Sequence, residues 1–107
     1  MENEELVSAI NSSMALELSA HINLNELHQL LAEHINYLIQ KDFQKLVFVL
    51  YRVDVNESKL KTLLQENRKE DAGNIIATLI IERQLQKIKS RKEYRQKNDD
   101  IRDDEKW

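Results

Sequence analysis

A chain of 107 residues with no proline and a single glycine, Gly73, contains almost nothing that would interrupt a helix. Proline removes an amide donor and clashes with the preceding turn, and glycine is the other residue that weakens a helix interior. The expected fold class is therefore all-α: a single-domain bundle of four to five helices with a long, projecting C-terminal helix. The same composition narrows the chemistry. With no cysteine there is no thiol nucleophile and no cysteine metal cluster, and one glycine is too few for a loop that cradles phosphate.

Apolar residues make up 41% of the chain and charged ones 33%, enough to build a core and too much apolar content for a wholly disordered chain. The longest apolar runs, Leu46 to Tyr51 and Ile75 to Ile81, fall well short of the roughly 18 residues of a membrane span. The start, Met-Glu-Asn-Glu-Glu, is acidic where a secretory signal is basic, and no apolar h-region follows it. The expected location is the cytoplasm, without membrane association.

Charge is distributed unevenly. Residues 1–40 carry six Glu and no Lys or Arg, residues 41–98 carry fourteen basic residues against eight acids, and the net charge is −3. Acidic early helices and basic late ones favour antiparallel packing of the first against the last, or head-to-tail association of chains.

Apolar spacing places the helices. Val7, Ile10, Met14 and Leu18 predict a first helix from Glu4 to Leu18. Asn23 followed by Glu26 has the form of a capping box, opening a second helix whose face is Leu24, Leu27, Leu31, Ile35 and Leu38. Asp42 can cap a third helix bearing Phe43, Leu46, Val47, Leu50 and Tyr51, although its β-branched valines also suit a buried strand. A short helix with Leu60, Leu63 and Leu64 then starts from either Asp54 or Asn56. Asp71 caps a last helix from Ala72 to about Lys97, with Gly73 in its first turn, where it admits a neighbouring backbone. Residues 1–97 form the bundle domain and 98–107 a charged, frayed tail. The expected core is Leu31, Ile35, Leu38, Phe43, Leu46, Leu50, Leu64, Ile76, Leu79 and Ile80.

The last helix has two apolar stripes. Ala72, Ile75, Ile76, Leu79 and Ile80 cluster on one face, and Ile81, Leu85 and Ile88 on nearly the opposite one. The second stripe needs either another helix of the same chain or a second chain. Because the helix outlasts its own bundle, Ile81, Leu85 and Ile88 are expected to form a symmetric homodimer contact. Arg83 lies on the core side and requires a carboxylate that the sequence does not identify.

Other groupings carry less. His21, His28 and His34 lack the spacing of three or four that puts two imidazoles on one helix face, so no metal and no cofactor are expected. Asp54 to Ser58 imitates the start of a calcium loop, but Lys59 replaces its glycine and Gln65 its terminal glutamate. Nothing pairs a nucleophile with a base, so neither catalysis nor a small-molecule substrate is expected. Seven basic residues between Arg83 and Lys97 form a candidate polyanion contact, chiefly Lys87, Lys89, Arg91, Lys92 and Arg95, for an acidic protein partner or, alternatively, nucleic acid. The same cations also stabilise a helix C-terminus against its dipole.

Two blocks, Asp42-Phe-Gln-Lys-Leu-Val-Phe-Val-Leu-Tyr-Arg-Val-Asp-Val-Asn-Glu57 and Asp71-Ala-Gly-Asn-Ile-Ile-Ala-Thr-Leu-Ile-Ile-Glu-Arg-Gln-Leu-Gln-Lys-Ile-Lys89, are similar to a group of small bacterial all-helical proteins of unknown function. The resemblance covers roughly residues 35–91. It implies a bacterial cytosolic origin and transfers neither activity nor site. The function expected is a non-catalytic cytoplasmic interaction module that self-associates through its last helix.

Overall fold

The computed structural model describes the backbone of residues 2–67 and 69–104, and the side chains of residues 4–67 and 69–94. Among the described residues are five α-helices and no strand: α1 (Glu2–Met14), α2 (Leu24–Lys41), α3 (Phe43–Val53), α4 (Glu57–Glu66) and α5 (Ala72–Asp104). None is long and apolar enough to cross a membrane.

Local chemistry sets most of the boundaries. Asn23 accepts a hydrogen bond from the Glu26 amide at 2.8 Å, and the Glu26 carboxylate accepts from the Asn23 amide at 3.4 Å, completing the capping box of α2. A single residue, Asp42, separates α2 from α3. Its amide donates to the Leu38 carbonyl and its carboxylate accepts from the Lys45 amide. Asn56, the second of the two predicted candidates, caps α4 by accepting from the Lys59 amide at 2.9 Å. Asp54 instead ends α3 in the left-handed conformation, φ 68° and ψ 49°.

The first helix is shorter than its apolar spacing predicts and stops at Met14 rather than Leu18. Ala15 turns left-handed at φ 55°, and the Asn11 side chain holds both the amide and the carbonyl of Leu18, at 2.9 and 3.0 Å. That clamp draws residues 15–18 back across the helix end. The last helix is longer, its backbone staying helical to Asp104 instead of ending near Lys97. Within the segment read as a frayed tail, side chains lie outside the described residues, as do residues 105–107 altogether.

Helix α5 is the spine, packing against all four other helices. Its 33 residues span about 50 Å, most of the molecule's 58 Å long axis. The first turns run antiparallel to α2: Asp71 accepts from Asn36 at 2.7 Å, and Thr78 lies 2.9 Å from His28. At Gly73 the two helices approach closely, since an added Cβ would stand 2.6 Å from the Ala32 carbonyl oxygen. Later turns of α5 run antiparallel to α1, with Gln84 donating to Ser13 at 2.9 Å and Lys92 pairing with Glu5 at 3.6 Å. The acidic start of the chain therefore lies along its basic end, as the charge distribution anticipates. Helices α3 and α4 lie on the remaining side, fixed to α5 through Arg83 with Asp54 and Lys59 with Glu82.

Leu31, Ile35, Leu38, Leu46, Ile76, Leu79 and Ile80 are buried as expected, joined by Leu6, Val7, Ile10 and Met14 of α1. Three expected core residues are corrected. Phe43 is 59% exposed because it lies roughly 90° around α3 from Leu46, Val49 and Val53, the residues that face the core. Leu50 and Leu64 are only half-buried, since α4, which covers that side, contributes no fully buried residue.

Candidate protein interaction surface

The stripe Ile81, Leu85, Ile88 is not a free surface, which corrects the homodimer contact expected there. Ile81 is 7% exposed and Ile88 9%, and both belong to the continuous core. The physical reason is α1, whose antiparallel path carries Leu6, Val7 and Ile10 alongside the later turns of α5 and covers them within one chain. Leu85, at 42%, alone stays exposed.

The basic stretch does not resolve into one face. Lys89, Arg91 and Lys92 are exposed and Lys87 half-buried; the side chain of Arg95 lies outside the described residues. At 100° per residue, Lys89 and Arg91 point roughly 160° apart. Lys92 is already paired with Glu5. Between α1 and α5 runs a groove of about 1290 Å³ with Glu4 and Glu5 on one wall and Lys87 and Arg91 on the other. With acids on one wall and bases on the other, the groove presents no continuous positive track for a phosphate backbone.

The three histidines are far apart in role. His21 is exposed, with Nδ1 4.0 Å from a Glu4 carboxylate oxygen. His28 Nε2 shares a hydrogen bond with the Thr78 hydroxyl. His34 stacks on Tyr37 with ring centroids 6.3 Å apart, and its buried Nε2 has no hydrogen-bond partner among the described residues. Burial lowers the His34 pKa below the ordinary histidine value, and the nearby Lys45 ammonium pushes it the same way. Among the described residues, no three His, Asp or Glu side chains converge on a point that could hold a metal ion.

Arg83 finds its carboxylate in Asp54. Nη2 donates to Oδ2 at 3.1 Å and Nε donates to the Asp54 carbonyl oxygen, also at 3.1 Å. One side chain therefore satisfies both the charge and the terminal carbonyl of α3, in a role that is structural. The false calcium loop resolves into two helix caps, Asp54 and Asn56.

What sequence reasoning missed is the outer face of α3. Leu46, Val49 and Val53 point into the core, and Val47, Phe48 and Tyr51 point away from it, Tyr51 at 86% exposure. Gln44, Val47, Phe48, Tyr51 and Arg52 line a shallow apolar depression of about 640 Å³. Val47 and Tyr51 also border the α3–α4 groove, about 780 Å³, which continues the apolar surface through Leu50, Leu60 and Leu64. A signal was present: six consecutive apolar residues, Leu46 to Tyr51, point in every direction around a helix, more than one bundle can cover. Surfaces of this kind, apolar with a polar rim, mark contact sites in folded proteins. No family model, curated protein or solved structure matches this chain.

Proposed function

We propose that the protein is a non-catalytic, cytoplasmic helical interaction module that self-associates through the outer face of α3. The carrying observation is the contiguous exposure of Phe43, Val47, Phe48 and Tyr51 on a helix whose opposite face is buried. Aromatic side chains are over-represented at the centres of protein contacts, and covering the exposed part of each of these four contributes about 1–2 kcal/mol. This reading keeps self-association and moves its surface from α5, where α1 occupies the apolar stripe, to α3.

The test is the mass of the protein across a concentration series, by sedimentation, for wild type and for Phe48→Lys with Tyr51→Lys. Wild type should gain mass with concentration, even at high salt, and the double variant should stay monomeric with stability within about 0.5 kcal/mol of wild type. A variant that unfolds would assign the face to the fold, and a wild type that remains monomeric at millimolar concentration would remove the proposal.

Nucleic acid is the second reading, supported by the exposure of Arg91 and Tyr94, one turn apart on α5. It requires affinity for a single-stranded oligonucleotide that falls log-linearly with salt and diminishes in Arg91→Gln.

A further inference from the structure

Resting on the reading of α3 as a self-association surface, we propose that α3 packs antiparallel against α3 of a second copy, about a two-fold axis passing between Val47 and Phe48. Gln44, Val47, Phe48 and Tyr51 recur at i, i+3, i+4 and i+7, which makes one straight stripe two turns long. That stripe maps onto itself when reversed. Turning one copy end for end sets Tyr51 against the partner's Gln44 and Phe48 against the partner's Val47, so each bulky ring meets a smaller side chain. Parallel pairing would instead set Tyr51 on Tyr51 and Phe48 on Phe48.

Charge selects the same direction. Arg52 is exposed and has no ion-pair or hydrogen-bond partner among the described residues. Reversal sets it against the partner's Phe43, one residue from the partner's Asp42, one carboxylate oxygen of which accepts from the Lys45 amide at 3.2 Å. The other oxygen is left for the guanidinium. A parallel pair would stack Arg52 on Arg52 and Lys45 on Lys45, with the two helix dipoles aligned.

The area matches a weak, reversible dimer. Gln44, Val47, Phe48 and Tyr51 offer roughly 500 Å² from each copy, or about 1,000 Å² in total, at the lower limit for a specific interface. A contact that uses the same patch on both copies closes on itself, so association stops at the dimer.

The chain has no cysteine, so single substitutions report proximity without interference. Gln44→Cys and Tyr51→Cys change exposed side chains, and each variant is first shown to keep the wild-type helix content by circular dichroism. Under mild oxidation at the concentration where wild type dimerises, a mixture of the two should give a mixed disulfide dimer several-fold faster than either variant links to itself. Val47→Cys, next to the axis, should link to itself. Arg52→Glu should remain folded and weaken the dimer about two- to fivefold.

Faster self-linking of Gln44→Cys would overturn the antiparallel arrangement and leave α3 as the contact surface. A wild type that dimerises without any α3 cysteine forming a cross-link would overturn both the arrangement and the α3 surface. A wild type that stays monomeric yet sediments with anionic lipid vesicles would give the face to a membrane and overturn self-association itself.

Discussion

Gly73 shows how one residue can fix the distance between two helices. An added Cβ would stand 2.6 Å from both the Ala32 carbonyl oxygen and the Asn36 side-chain amide, and the backbone oxygen cannot move without displacing α2. Alanine is the better helix former by about 1 kcal/mol, but here the clash outweighs that gain. Gly73→Ala should therefore destabilise the protein by about 1–3 kcal/mol, read as a lower urea midpoint at unchanged slope. His34 acts through protonation. Its pKa is lowered in the folded state by burial and by Lys45, so the unfolded chain binds the proton more tightly. The stabilising difference is fully present above the unfolded-state value of about 6.5 and is lost as pH falls through the lowered folded value. His34→Leu should remove this component: between pH about 7 and about 5, wild type loses stability relative to the variant, measured by urea denaturation at each pH.

Among the elements, α5 is built to be covered on more than one side. Ile76 and Ile80 join the core and Leu79 is buried beside them on another side of the helix, while Gln84, Ile88 and Ile81 continue the buried arc toward α1. Gln84 is the one polar side chain buried in that arc, and its bond to Ser13 provides its partner. Ile88→Lys should then detach α1 and cost about 2–4 kcal/mol in thermal or chemical denaturation, because a charge would replace a core side chain. Leu85→Glu, one turn earlier and on the exposed side, should stay within about 0.5 kcal/mol of wild type. Similar losses at both positions would contradict the antiparallel placement of α1. The α3 helix is the contrasting element, with apolar side chains on all sides and only one side covered.

Across the whole molecule, stability is unequal. Helices α2 and α5 share the most extensive interface, while α4 contributes no fully buried side chain. Native-state amide exchange should find α4 opening first and the α2–α5 amides last, with α4 protected well below the global limit. Sequence alone was sufficient for the helical class, the capping box at Asn23 and the Asp42 joint. Each of these depends on residues within a few positions of one another or on missing helix breakers, so local chemistry fixes it. The end of α1 was not legible, because it depends on Asn11 clamping Leu18 and no breaker marks the spot. Nor could spacing distinguish a stripe awaiting a second chain from one awaiting α1, since Ile81, Leu85 and Ile88 have the same period in either case. The partner of Arg83 and the exposure of Phe43, Phe48 and Tyr51 were likewise decided by tertiary packing. Hydrophobic periodicity records that a face is apolar, and only the arrangement of helices determines which apolar faces the chain can cover by itself.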